Sequence, residues 1–178
     1  QVTALAAQCD HTCAIRLDDT VYCWGANWSG QLGDHTQINS RLAITAEGVH
    51  AVAVAVGYSH SCALDDEGAV SCWGDNAYGQ LGNGSDPSSL EPVSVAGLPG
   101  PVSLLASGSD HTCAALVADG SIYCWGDNEL GAGGEGRAEN TRPSPRRVSG
   151  LSGVTAIAAG EGHTCAVVKT ADNPGAVY

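Results

Sequence analysis

The residues of this sequence that could do chemistry are a histidine and a cysteine separated by one residue, a pattern that occurs four times. A second cysteine follows each of the first three copies, inside the tripeptide Cys-Trp-Gly. Such residues can bind zinc, serve as base and nucleophile, or form disulfides between the cysteines. They are His11, Cys13, Cys23, His60, Cys62, Cys72, His111, Cys113, Cys124, His163 and Cys165.

β-Hairpins are the elements that must position these residues. In the second copy, Asp66-Glu67-Gly68 separates two runs with alternating apolar residues, and a glycine in third place suits a type I turn closed by a left-handed residue. Pairing the strands around this loop puts Cys62 opposite Cys72, close enough to be bridged. The same register in the other copies predicts three disulfides: Cys13–Cys23, Cys62–Cys72 and Cys113–Cys124.

Two cysteines have no partner in this scheme. Cys9 lies at a variable loop position, and the cysteine expected opposite Cys165 would follow Tyr178. We expect each thiol to be unpaired or to form an intermolecular bond.

Two other uses of the cysteines remain open. Zinc could be held by the His-x-Cys pairs, although tight zinc sites usually draw on closely spaced cysteine pairs, which this sequence lacks. Reduced thiols could also pack as small hydrophobic side chains. We favour disulfides and predict neither a metal ion nor a cofactor.

Catalysis is disfavoured by the repetition itself. A histidine that recurs once per copy at the same place is better explained by architecture than by a single reaction centre. The sequence contains no nucleophile elbow, P-loop or zincin motif. We predict that the protein is not an enzyme.

Composition narrows the choice of partner and compartment. The 178 residues carry a net charge of −12, and 24 of them are glycine. Residues 1–136 hold two basic and sixteen acidic side chains, whereas residues 137–178 hold five and three. An acidic surface disfavours nucleic acid as a partner, and no apolar run is long enough for membrane insertion.

Eight cysteines in a pairing pattern favour an oxidising compartment, so we expect a secreted, periplasmic or cell-surface protein.

The chain reads as one array of repeats with a period of about fifty residues. Apolar residues alternate with period two throughout, and turn residues recur every ten positions or so, which predicts an all-β protein. The expected repeats are residues 1–47, 48–98, 99–150 and an incomplete 151–178.

A composite motif connects this array to a known family. It reads Ala-x-Gly-x-x-His-Thr-Cys-Ala-Leu, Asp-Gly, Tyr-Cys-Trp-Gly-Asp-Asn, Gly-Gln-Leu-Gly and Pro-Val, around residues 55–95 and 106–128. This motif resembles the regulator-of-chromosome-condensation repeat. The resemblance implies a β-propeller of four-stranded blades, typically seven per ring, so about three and a half repeats would form a partial propeller or part of a larger ring. The cysteine-bearing variant is similar to versions in secreted or cell-surface bacterial proteins.

The same resemblance implies a non-catalytic module that binds another protein. A structural or assembly unit of a larger surface protein or filament, self-associating through open blade edges, is the alternative. An enzyme inhibitor or an exchange-factor-like regulator is a further reading. Residues that vary beside the repeated framework are the candidates for contact with a partner. They are Trp28, Tyr58, Ser59, Tyr78, Ser109, Asp110 and Glu161.

Overall fold

The computed structural model describes residues 1–134, 139–170 and 173–178, which form antiparallel β-sheets. The first sheet contains β1 (Val2–Gln8), β2 (His11–Arg16), β3 (Thr20–Gly25) and β4 (Ser40–His50). The second contains β5 (Ala53–Val56), β6 (His60–Leu64), β7 (Val70–Gly74) and β8 (Ser89–Ser94). The third contains β9 (Val102–Ser107), β10 (His111–Leu116), β11 (Ile122–Asn128) and β12 (Glu139–Arg147). The fourth contains β13 (Val154–Ala159), β14 (Thr164–Thr170) and β15 (Asn173–Val177).

Within each sheet the strands lie in chain order, so every sheet is an up-and-down meander. The first strands of successive sheets contact one another, β1 with β5, β5 with β9 and β9 with β13, while β4 contacts β8. The sheets are therefore stacked like propeller blades with their first strands on the same side, and we call them blades 1 to 4. The described part of the chain contains no helix that could span a bilayer. The predicted all-β propeller architecture is confirmed.

Successive side chains of a strand point to opposite faces of the sheet, and apolar residues occur on both faces, so each blade has two apolar faces. The front face carries the cysteines, and the back face carries the residues between them. Between blades 1 and 2, Cys13 and Ile15 on the front of blade 1 pack with Ala63 and Trp73 on the back of blade 2. Equivalent clusters join blade 2 to blade 3 and blade 3 to blade 4. The cores lie between blades, so the blades depend on one another for burial.

The structure contains three disulfides, Cys13–Cys23, Cys62–Cys72 and Cys113–Cys124. In each pair the two cysteines are directly opposite in the strand register, and their Cα atoms are 4.1 Å apart. These are the pairs that the hairpin register predicts. Cys9 and Cys165 are free and exposed. The bridges link the second and third strands of blades 1 to 3 on their front faces.

Candidate protein-binding face

Two sets of connections meet at one edge of the blades. The bend between the first and second strands lies beside the turn that follows the third strand, because these strands are antiparallel. The amide of Asp75 donates to the carbonyl of Ser59 at 2.8 Å, and the amide of Asp127 donates to that of Asp110 at 2.7 Å. We call this edge the bend face. It comprises the bends at residues 9–10, 57–59, 108–110 and 160–162 and the turns at 26–30, 75–79 and 127–131.

Backbone hydrogen bonds tie the bends of successive blades together. The amide of Tyr58 donates to the carbonyl of Ser109 at 2.9 Å, and the amide of Ser109 donates to the carbonyl of Glu161 at 3.1 Å. A Cβ added to Gly57 would meet the imidazole of His60 and would lie 2.8 Å from the carbonyl oxygen of Gly108. The bend approaches its neighbours so closely that only glycine fits at this position. The bends of blades 2 to 4 thus form one continuous ridge.

The turns after the third strands are held by a buried asparagine. Oδ1 of Asn27 accepts from the amide of Leu32 at 2.9 Å, and Oδ1 of Asn76 accepts from the amide of Leu81 at 2.9 Å. Both asparagine side chains are inaccessible to solvent. A buried amide that satisfies several backbone groups gives the turn a fixed shape. Residues at the turn's surface are therefore presented by a rigid support.

All seven predicted contact residues lie on the bend face. The exposed fractions of the three aromatic residues are 61% for Trp28, 48% for Tyr58 and 40% for Tyr78. Glu161 is exposed, whereas the other three, Ser59, Ser109 and Asp110, are partly buried. The structure brings these residues to one surface, and their role in binding stays a prediction.

One exposed residue of the bend face, Leu130, is not among the contact residues that the sequence predicts. Leu130 is 79% exposed, and in blade 3 it occupies the place that Tyr78 has in blade 2, directly before the turn glycine. Its position in the repeat is the signal that could have identified it. The turns of blades 2 and 3 therefore each present a large apolar side chain to solvent.

Carboxylates crowd the same surface. Partial burial raises the pKa of the Asp110 carboxyl, and the nearby charges of Asp75, Asp127 and Glu161 raise it further. Burial also raises the pKa of the Cys9 thiol, with added effect from Asp10, Glu161 and Asp110. A raised pKa makes this thiol a poor nucleophile at neutral pH. Within the described ranges, no cluster of His, Cys, Asp and Glu is arranged to hold a metal ion.

The repeated histidines join the blades. Nε2 of His11 is 2.9 Å from Oγ of Ser61, and Nε2 of His60 is 2.9 Å from Oγ1 of Thr112. Nε2 of His111 is 2.8 Å from Oγ1 of Thr164. Each bond runs from the second strand of one blade to the second strand of the next.

The proton on the first of these bonds can be assigned. The hydroxyl of Ser61 donates to the carbonyl of Gln31 at 2.8 Å, so it accepts from Nε2–H of His11. Burial lowers the pKa of His11 to about 4, that of His60 to about 3 and that of His111 to about 4. At neutral pH these buried rings are uncharged. They hold the blades together and cannot act as solvent-accessible bases.

Four-stranded meanders stacked front to back, with the first strands side by side and connecting loops gathered on one edge, define a β-propeller architecture. The chain belongs to the Regulator of chromosome condensation (RCC1) repeat family. The model of that repeat matches residues 18–64, 67–115 and 119–167. A second model of the RCC1 repeat matches residues 51–80 and 102–132.

Curated relatives are longer proteins that contain similar repeats. The chain is 38% identical to the human E3 ubiquitin-protein ligase HERC2 over 161 residues, covering 87% of this chain and 3% of that protein. It is 31% identical to the ultraviolet-B receptor UVR8 of Arabidopsis thaliana over 180 residues, covering 97% of this chain and 40% of that protein. The chain therefore spans less than half of each.

The chain also matches less than half of the length of solved structures with a similar fold. Human WBSCR16 is 29% identical, with a TM-score of 0.81, and the match covers 95% of this chain and 45% of that chain. Yeast RCC1 (Prp20), solved bound to Kap60, is 24% identical, with a TM-score of 0.79, covering 94% of this chain and 41% of that one. At that identity the yeast structure shows the fold alone.

Proposed function

We propose that this chain is a non-catalytic protein-binding module whose contact surface is the bend face. The observation that carries the proposal is the gathering of the variable residues on one edge of a repeated framework. The blades beneath them are stapled by disulfides and joined by buried hydrogen bonds, so little conformational entropy is lost when a partner binds. Rigid aromatic side chains on such a support are typical of interface hot spots.

The chemistry of the surface favours a basic partner with apolar anchors. Asp75, Asp110, Asp127 and Glu161 supply negative potential, while Trp28, Tyr58 and Tyr78 supply apolar contact. Opposite charge on a partner would speed association and select among candidates. A protein that contains this fold, yeast Prp20, was solved bound to another protein, Kap60.

We further propose that the module works outside a reducing cytosol, in a secreted, periplasmic or cell-surface protein of bacterial type. Three disulfides buried at the blade centres support this proposal, because such bridges persist mainly in oxidising compartments. Expression with export to the periplasm should give fully bridged protein, measured as the absence of titratable thiols beyond Cys9 and Cys165. Equal folding and stability of a chain kept reduced would contradict this part of the proposal.

Peptide selection tests the binding proposal. The oxidised chain would be immobilised, peptides selected from a random displayed library, and affinities measured by biolayer interferometry. We expect selected peptides to be rich in lysine, arginine and aromatic residues. Affinity should fall at least about tenfold in the combined variant Trp28→Ser, Tyr58→Ser and Tyr78→Ser.

A matched control lies at the opposite edge of the blades. Leu17 and Val117 are 64% and 62% exposed and lie where the second strand ends, so the variant Leu17→Ser with Val117→Ser should bind as the parent does. A bend-face variant that binds as tightly as the parent would refute the proposal. Equal loss in the control variant would do the same.

A further inference from the structure

The loop between β7 and β8 contains the dipeptide Asn83-Gly84, and no other asparagine of the sequence is followed by glycine. Asn83 is partly buried, and Gly84 is exposed with a φ of +79°. Because glycine has no side chain, nothing on Gly84 itself screens its backbone nitrogen from the amide group of the preceding residue. The dipeptide therefore places the carbonyl carbon Cγ of Asn83 beside an unhindered backbone nitrogen.

The side-chain carbonyl of Asn83 accepts two hydrogen bonds from one residue. The amide of Ser85 donates to Oδ1 of Asn83 at 3.1 Å, and the hydroxyl of Ser85 donates to the same oxygen at 2.9 Å. Two donors aimed at one carbonyl oxygen stabilise the negative charge that develops there when a nucleophile attacks the carbon. By comparison, Oδ1 of the exposed Asn39 accepts from the amide of Asn27 at 2.8 Å, and a serine follows Asn39 in the chain.

We propose that Asn83 is a site of spontaneous modification, at which the chain attacks its own side chain. The backbone nitrogen of Gly84 bonds to Cγ of Asn83, and the bond between Cγ and Nδ2 breaks. The proton of the Gly84 amide passes to the departing nitrogen, which leaves as ammonia. Water then opens the resulting five-membered imide at either of its carbonyl groups, so aspartate or isoaspartate remains at position 83.

The loop is anchored to its surroundings on the far side of this bond. The amide of Gly84 donates to the carbonyl of Pro143 in blade 3 at 2.8 Å, and the carbonyl of Ser85 accepts from Nδ2 of Asn76 at 2.6 Å. Ring closure removes the Gly84 N–H and with it the bond to blade 3. Isoaspartate also adds one carbon to the main chain before Ser85, which shifts the acceptor of the Asn76 side chain.

The modification should therefore loosen the turn that presents Tyr78 on the bend face. Asn76 fixes this turn by accepting from the amide of Leu81 at 2.9 Å, and a displaced Ser85 carbonyl leaves the buried Asn76 amide with one acceptor fewer. The consequence for binding rests on the function proposed above, whereas the chemical step at Asn83 does not.

Prolonged incubation of the oxidised chain at neutral pH and physiological temperature tests the chemical step, with digestion at acidic pH and mass spectrometry as the readout. We expect the peptide that contains Asn83 to gain the mass that accompanies conversion of an amide to a carboxyl group. An isoaspartate-specific methyltransferase should label the same peptide. The peptide that contains Asn39 is the control in the same digest and should react at least about tenfold more slowly. An Asn83 peptide that stays unmodified over several weeks would overturn the proposal.

Variants of Ser85 test the two donors. Ser85→Ala removes the hydroxyl and should slow the mass gain about three- to tenfold, whereas Ser85→Thr keeps the hydroxyl and should react at nearly the parent rate. A Ser85→Ala chain that reacts as fast as the parent would contradict the role of the donors.

Hydrogen exchange of the Leu81 amide tests the effect on the turn. We expect faster exchange in the modified fraction of the parent chain than in the unmodified fraction. Asn83→Gln lengthens the side chain by one carbon and should keep its Leu81 amide protected throughout the incubation. Equal protection in both fractions of the parent would refute an effect on the bend face. None of these readouts uses binding, so they succeed or fail independently of the proposed function.

Discussion

The indole nitrogen of Trp73 lies 2.9 Å from the carbonyl oxygen of Gln31, which belongs to the preceding blade. The same carbonyl accepts from the hydroxyl of Ser61, so one buried oxygen receives two donors across the junction. The next junction repeats the arrangement with Trp125 and Gln80 at 2.9 Å. Every blade is thus tied to its neighbour by polar groups that are themselves removed from water, where an unmade bond is costly.

Replacing Trp73 should therefore weaken the whole array. Trp73→Phe keeps most of the packing but removes the N–H donor, and we expect a loss of about 1 kcal/mol in unfolding free energy. Trp73→Ala also opens a cavity in the core and should cost about 3–5 kcal/mol. Chemical unfolding of the oxidised chain measures both. Trp28→Phe, at an exposed position, is the control and should change stability by less than about 0.5 kcal/mol.

Stability should fall as the pH decreases from about 7 toward 4, because buried histidines are forced to take up protons. Burial holds the pKa of His11 and His111 near 4 and that of His60 near 3, below the value of about 6.5 expected in the unfolded chain. The unfolded chain binds more protons in this window, so the stabilisation is fully present above about pH 6.5 and is lost as the pH falls toward 4. At about pH 5 each ring should cost roughly 2 kcal/mol. Thermal unfolding from pH 7.5 to 4.5 measures the slope.

Two variants show whether the buried histidines cause this dependence of stability on pH. His60→Gln keeps a polar side chain that can hydrogen-bond to Thr112 but does not titrate, so its stability should depend less steeply on pH. His50→Gln replaces a histidine at an exposed position and is the matched control. A parent profile that is flat between pH 7 and 5 would contradict buried neutral histidines.

Removing one bridge should cost a moderate amount of stability. The Cys62–Cys72 disulfide closes a loop with a sequence separation of 10, for which chain-entropy arguments give roughly 2–3 kcal/mol. Cys62→Ala with Cys72→Ala should lower the unfolding free energy by that amount without changing the fold. Cys165→Ser, at an exposed free thiol, should leave the monomer's midpoint unchanged. A larger effect from Cys165→Ser than from the paired substitution would contradict the bridge's role.

The bend glycines should not tolerate even a methyl group. Gly57→Ala would push a Cβ against the His60 ring and the carbonyl of Gly108, and we expect a loss of about 2 kcal/mol or more together with distortion of the bend face. Gly100→Ala is the matched control, because nothing lies within 4 Å of a Cβ added there. Hydrogen exchange of the Tyr58 amide reports on the bend directly. Protection unchanged in Gly57→Ala would show that the ridge does not depend on this close approach.

The contacts that the sequence could predict are those within a single hairpin. Alternation of side chains fixes which residues of two adjacent strands are opposite, so Cys62 and Cys72 could be paired from their distance to one turn. Residues at equivalent bends, such as Tyr58 and Ser109, could be grouped because the repeat assigns them the same place.

Contacts between blades could not be obtained in this way, because they depend on how two sheets stack. Nothing in the local pattern shows that His60 reaches Thr112, which is 52 residues further along the chain. The sequence also gives no indication that Arg142 is buried, because arginine is seldom fully buried. In the structure Arg142 is 1% exposed. The Arg142 side chain packs where a Cβ on Gly133 would otherwise lie, at the turn position that holds leucine in blades 1 and 2.

The donor-to-acceptor order of the histidine bonds gives the array a direction. His11 on the front face of one blade donates to the Ser61 hydroxyl on the back face of the next, so the two faces of a blade have different roles at a junction. A gene duplication that inserts one more repeat creates a new junction whose donor and acceptor are already matched. Ring size in such proteins can therefore change by whole repeats through copying alone, with no new pairing chemistry required.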